Sequence, residues 1–191
     1  GESLRRVAEL GYRAVEMSQI PMTPRNVDAM DRAQQDLGID IAALSASYLP
    51  QRGSDSLSAD LEKIAADCER LNVSYLRIGM APLQYLTTIS DVADFCAGVD
   101  KIAVELAQRG VQLYYHNHHV EYGKLEGRHL LDIIYESAPN LGLEVDVHWV
   151  QRGGKDPVRT IEKYSGLVDL IHLKDYRIGV MPQEAYEALQ A

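Results

Sequence analysis

Short β-branched or aliphatic runs alternate with longer helix-period segments from one end of this chain to the other, and that alternation limits its fold more than any other feature. The strand-like runs are Tyr12–Met17, Ile39–Ser47, Tyr75–Met80, Val111–His118, Leu143–Trp149 and Leu167–Asp175. Between them the apolar positions take the helical period. Leu4, Val7 and Ala8 predict a first helix, already under way at Gly1-Glu2-Ser3 and stopped at Gly11. Thr23-Pro24 supplies an N-cap and a first-turn proline for a helix carrying Val27, Met30 and Leu37, which Gly38 ends. Ser58 opens a helix with Leu61, Ile64, Cys68 and Leu71, and Ser90 opens one with Phe95, Val99, Ile102 and Leu106 that stops at Gly110. Asp156-Pro157 opens another, with Val158, Ile161 and Tyr164 before Gly166, and Pro182–Gln190 is helix-like. Strand starts near 12, 39, 75, 112, 142 and 167 are 27, 36, 37, 30 and 25 residues apart. Units of that size without hairpin signals imply a parallel sheet covered by helices. An open doubly wound sheet and a closed (β/α)8 barrel both satisfy the pattern. No linker or low-complexity segment divides residues 1–191, which read as one domain.

Composition removes several classes of function. With 46% hydrophobic and 25% charged residues the chain can build a core and is not a disordered one. Its 28 acidic and 19 basic residues give a formal charge of -9, which argues against coating a nucleic acid or an anionic membrane. Cys68 and Cys96 fall inside helix patterns and read as buried thiols in a reducing compartment. With no signal-peptide pattern and no apolar run near about 18 residues, the expected location is cytoplasmic, away from the membrane. Three of the six histidines, His116, His118 and His119, fall within four positions.

In either parallel architecture chemistry sits at the carboxyl ends of the strands. The first run ends in Glu16-Met17-Ser18, and the fourth in His116-Asn117-His118-His119 with Glu121 just beyond. The fifth carries Glu144, Asp146 and His148 at alternating positions, expected on one face; the sixth carries His172 and Lys174, with Asp175 following. Asp146 and His172 each interrupt an apolar run, where a carboxylate must be paired or bound to metal. Imidazoles and a carboxylate on neighbouring strands make a mixed N/O set suited to a divalent ion such as Mn, Mg, Co, Zn or Fe. Only a barrel brings the ends of the fourth, fifth and sixth runs around one axis. Singly, His116, Asp146 and His172 fit a structural hydrogen bond as well as ligation; together, ligation is the better reading. Glu144 also fits an internal salt bridge to Arg77 or Lys174. His129 is assigned no role, and Arg152-Gly153-Gly154-Lys155 lacks a Walker arrangement.

The segments Tyr115–Tyr122 (YHNHHVEY), Leu143–Val150 (LEVDVHWV), Gly153–Pro157 (GGKDP) and Ile171–Asp175 (IHLKD), with Gly11–Glu16 (GYRAVE), occur in order. Over nearly the whole chain they resemble the sugar phosphate isomerase/epimerase group of xylose-isomerase-like TIM barrels, which includes inosose dehydratases, ketose 3-epimerases and AP-endonuclease relatives. The resemblance implies one divalent metal held by a carboxylate on barrel strand five, Asp on six, His on seven and Glu on eight. Asp146 and His172 match the strand-six and strand-seven ligands. His116 stands where the epimerases have Glu, with His118 on the same face as its competitor. The fourth ligand has no counterpart before Ala191. Glu16 then lies on barrel strand two and lines the mouth.

The expected activity is metal-dependent isomerisation or epimerisation of a small sugar, keto-sugar or polyol through a metal-stabilised enediolate. His118, Glu144 and Lys174 are the candidate catalytic groups; Glu16, Asn117, His148 and Trp149 are candidate substrate contacts. Without the strand-five Glu, dehydration of the inosose dehydratase type is the runner-up. Phosphodiester cleavage needs a richer ligand set and a basic groove, and a non-catalytic sugar-binding barrel is the reading from another class. No nucleic-acid or membrane partner is expected, and a homo-oligomer is compatible with the family. A full barrel of this type takes about 250 residues. Six strands are visible, corresponding to barrel strands two to seven. The expectation is an incomplete barrel lacking strand one and the eighth βα unit, with edges exposed or covered by another chain.

Overall fold

In the computed structural model, which describes residues 2–177, 179–180 and 182–188, helices and strands alternate as the spacing requires. Helix α1 (Glu2–Glu9) leads into β1 (Ala14–Met17), α2 (Pro24–Leu37), β2 (Asp40–Ala46), α3 (Leu61–Arg70) and β3 (Tyr75–Ile78). The long α4 (Ile89–Ala107) precedes β4 (Gln112–His116), and a small antiparallel ribbon, β5 (Lys124–Leu125) and β6 (Arg128–His129), precedes α5 (Leu130–Ser137). Then come β7 (Gly142–Asp146), α6 (Val147–Arg152), α7 (Pro157–Lys163), β8 (Val168–His172) and α8 (Gln183–Ala188). The expected helix over Pro182–Gln190 is seen to Ala188; Gly1, Leu189 and Gln190 lie outside the described residues.

Six strands form one parallel sheet in the order β1-β2-β3-β4-β7-β8. Laid flat at about 4.8 Å per strand, its outer strands would stand about 24 Å apart. Instead Glu16 of β1 meets His172 of β8 at 2.7 Å, so the sheet is rolled into a curled, incomplete (β/α)8 barrel. Among the described residues no strand pairs with the outer edge of β1 or β8. Ile171 and Leu173 on one side, and Leu10 and Tyr12 on the other, are correspondingly exposed.

The core lies between the sheet and its helices. Phe95, Val99 and Leu106 of α4 and Ile64 and Cys68 of α3 are buried against Leu76, Ile78, Leu113 and Leu143. Both cysteines are buried and free. Thr23 caps α2, accepting from the Asn26 amide at 3.3 Å, and Gly38 closes it in the left-handed region, φ 60°. Two expected starts shift. Helix α4 is capped by Thr88, not Ser90, through a 3.1 Å bond from the Asp91 amide. Helix α3 begins after Asp60, not at Ser58, and the Asp60 carboxylate accepts from the Ser56 amide at 2.9 Å. No helix among the described residues is long and apolar enough to cross a membrane.

The strand ends are also shorter than the apolar alternation predicts, and one difference matters for the site. The expected strand to Trp149 stops at Asp146, because Asp146 Oδ1 accepts from the amides of His148 (3.1 Å) and Trp149 (3.2 Å) and starts α6. His148 therefore does not share a strand face with Glu144 and Asp146. Lys174 likewise lies beyond β8, which ends at His172, and His118 lies in the turn after β4.

Candidate metal centre and its cavity

Strand register gathers the polar residues. His116 of β4 stands opposite Glu144 of β7, and Asp146 of β7 opposite His172 of β8. All four point inward at the carboxyl end of the sheet, where His116, Glu144 and Asp146 are buried. His116 Nε2 lies 3.2 Å from Asp146 Oδ2 and 3.0 Å from His172 Nδ1, and the latter two are 3.5 Å apart.

The outer nitrogens of the two rings are held. His116 Nδ1 faces the Gly79 carbonyl at 3.4 Å; His172 Nε2 faces Glu16 at 2.7 Å and Glu144 at 3.3 Å. With those nitrogens donating, the inner ones present lone pairs toward each other and toward a carboxylate. Lys174 Nζ balances the Asp146 carboxylate from one side, but the two imidazole nitrogens 3.0 Å apart still repel unless a proton or a metal ion sits between them. Ligands about 2.1 Å from one ion are about 3.0 Å apart in an octahedral arrangement and about 3.4 Å in a tetrahedral one. The observed edges therefore fit a divalent ion, and so does the N,N,O donor set. A second group, Glu16, Glu144 and His172, also converges, but Arg77 already supplies its positive charge, with Nε on Glu16 and 3.2 Å from Glu144.

The electrostatics follow from burial and these pairings. Burial pushes His116 down to about 4, aided by the charge of Arg77, so the ring is neutral at pH 7. His172 is raised, chiefly by its bond to Glu16. Burial acts to raise Asp146, but the hydrogen bond from Lys174, 2.6 Å from Oδ2, outweighs it and keeps the carboxylate below its usual range. Burial and the neighbouring Glu16 charge push Glu144 up; Glu16, despite its own burial, is held low by His172 and Arg77. The anionic field that favours a proton on His172 favours a metal cation at the same place.

Beside the triad lies a cavity of about 880 Å³ over the carboxyl ends of β1, β2 and β3. His116, His118, Trp149, His172, Lys174 and Arg77 form its inner end. Of the expected catalytic groups, His118 and Lys174 line it. Glu144 sits behind the His172 ring, in the Arg77 pair that its position also suggested. Of the expected substrate contacts, Trp149 lines the cavity, against His118 and stacked on His119. Glu16 and Asn117 are off the wall. Glu16 supports His172, and Asn117, fully buried, accepts from the Asp146 amide at 2.9 Å. His148 packs on Trp149 and Tyr176, also off the wall. His129 bonds the Tyr122 carbonyl.

The sequence reading did not foresee the outer end of the cavity, built by the loops after β1, β2 and β3, nor the work of Glu121. That buried carboxylate accepts from the Tyr115 hydroxyl at 2.6 Å and the His118 amide at 2.7 Å, fixing the turn that carries His118. Its place just beyond the strand-end histidines was its one legible sign.

Similarity to known proteins agrees with the fold. The fold overlays on a sugar phosphate isomerase/epimerase from Parabacteroides distasonis with a TM-score of 0.78 at 22% identity, over 97% of this chain and 77% of that one. It overlays on a 3-keto-D-glucoside 4-epimerase from E. coli at 0.66 and 14% identity, covering 99% and 81%. A probable 3-DHS dehydratase from Bacillus anthracis overlays at 0.66 and 14% identity, covering 91% and 67%. No curated protein matches the chain in sequence. The family model described as xylose isomerase-like TIM barrel matches residues 4–184, so the chain belongs to that family.

Proposed function

We propose that the protein is a divalent-metal-dependent isomerase or epimerase of a small sugar, keto-sugar or polyol. The observation that carries this is the convergence of His116 Nε2, Asp146 Oδ2 and His172 Nδ1, two imidazole nitrogens and a carboxylate oxygen whose spacing fits one ion, at the end of a cavity. A divalent ion bound there would polarise adjacent carbonyl and hydroxyl oxygens and favour an enediolate. His118, whose pKa burial lowers, lines the cavity and would take the proton α to the carbonyl. Lys174 Nζ, half-exposed on the cavity wall, holds or returns a proton at the oxygen. Glu144 and Glu16 act through His172 by fixing its ring, and Trp149 offers an aromatic face to the sugar.

Dehydration is the second reading, favoured by one feature. The inner end of the cavity holds imidazoles and an ammonium where a two-carboxylate epimerase needs a second carboxylate; the lining carboxylate, Asp55, is on a distant loop. The neighbouring folds include epimerases and a probable dehydratase. The test is turnover of a ketose and inosose panel, with and without chelator, on protein assayed for metal. Chelator-sensitive interconversion supports the leading reading, and chelator-sensitive water loss the second. Turnover indifferent to metal removal sinks both, and protein that binds sugar but no divalent ion is a non-catalytic barrel.

A further inference from the structure

The two ends of the cavity differ in charge. From that difference we infer that the site takes uncharged glycosides, sugars carrying a neutral substituent, in preference to sugar phosphates. The inference rests on the sugar-directed function proposed above and narrows its substrate class. At about 880 Å³ the cavity is near the top of the 300–1,000 Å³ range of small-molecule sites and has room beyond one sugar ring.

A phosphate monoester carries up to two negative charges, and proteins hold it with Arg forks, Lys or free backbone amides. Among the described lining residues the cations are Arg77 and Lys174, both at the triad end. Arg77 is engaged by Glu16, Glu144 and Ser18, and Lys174 by Asp146. The charged side chain at the loop end is Asp55, an anion, paired to Lys63. Lys63 is further held by Asp67 at 2.9 Å and by the Met22 carbonyl. Arg52, on the same loop as Asp55, does not line the cavity. A phosphate there would lose its water without gaining a free cation.

What the loop end offers is apolar surface with a few neutral polar groups. Ile20, Pro21, Tyr48, Leu49, Pro50 and Met80 form its wall, and Ser47, Gln51 and Ser54 supply uncharged hydrogen-bonding groups. Ile20 is 38% and Met80 41% exposed. One exposed aliphatic side chain is ordinary, but two on one cavity wall are surface that a ligand can cover. A ring bearing an alkyl, aryl or second sugar group matches that wall.

Trp149, the single tryptophan, lines the cavity, so its fluorescence reports occupancy. The full chain, with and without Mn2+, is titrated with glucose, glucose 6-phosphate, and methyl, butyl and hexyl β-D-glucoside below micellar concentrations. Affinity should rise about threefold to fourfold for each methylene the wall covers, and glucose 6-phosphate should bind no tighter than glucose. Met80→Lys, at an exposed position, should weaken the hexyl glucoside and strengthen glucose 6-phosphate. Tightest binding by the phosphate, equal affinity across the series, or no binding at all overturns the inference. The metal-dependent reading is judged separately: glucoside preference in a protein that binds no divalent ion leaves this inference standing and removes that one.

Discussion

The inner and outer ends of the cavity are built on opposite plans. At the inner end, side chains from β1, β3, β4, β7 and β8 lock one another: Arg77 between two glutamates, Glu16 on His172, Lys174 on Asp146. Arg77, Glu16, Glu144, Asp146 and His172 are carried by strands fixed by their neighbours, and Lys174 follows directly on β8. The outer end is carried by loops, and its wall is mostly neutral and apolar. The converging triad His116, Asp146 and His172 sits on the sheet, His118 and Lys174 just beyond its strand ends, and fit to a substituent is left to the loops.

The largest effect expected is at Asp146, which both converges on the centre and caps α6. Asp146→Asn keeps the cap but should lower divalent-metal affinity by more than about 100-fold, read by calorimetric titration. Asp146→Ala should lose the cap as well, about 1 kcal/mol of unfolding free energy in denaturant melts. Equal metal affinity in wild type and the Asn variant would break the division between the two ends. Next comes Glu16→Ala, which frees the His172 ring and should cost about 10-fold to 100-fold in metal affinity while sparing glucoside affinity in metal-free protein.

The outer end is probed by Gly98→Ala. A Cβ at Gly98 would collide with the Tyr48 hydroxyl, so Tyr48 must shift on the cavity wall. Destabilisation of about 1–3 kcal/mol is expected, with weakened glucoside binding and unchanged metal affinity. A drop in metal affinity would show that the ends are coupled. The smallest effect is at Asp132, remote from both. Burial acts to raise its carboxyl, but Lys163 and Tyr164 hold it below the usual range. Its contribution is therefore present above the ordinary pKa of about 3.9 and fades as pH falls through the lower folded value. Asp132→Asn should lose less than about 1 kcal/mol near neutral pH, and progressively less as the pH falls below the ordinary carboxylate range, in urea melts.

The contrast also explains what the sequence made legible. A parallel sheet could be read from the spacing of apolar runs, and His116, Asp146 and His172 stood out because polar groups interrupt those runs at strand ends. His148 was misplaced because Leu143–Val150 keeps alternating apolar and polar residues into α6, while the carboxylate of Asp146 ends the strand by capping. Glu16 and Glu144 were visible as strand-end carboxylates, but that they face His172 from behind depends on the curl of the sheet. Ile20, Met80 and Tyr48 carried no mark at all, since a neutral wall uses the same residues as any loop or core.

The contact between Glu16 and His172 joins residues 156 positions apart. Every intervening strand must be laid down before it can form, and closing so long a loop is entropically among the last steps available to the chain. The centre is therefore complete only when the sheet has curled. A half-assembled sheet, however compact, has only scattered ligands to offer an ion, so tight metal capture would mark completion of the whole curl.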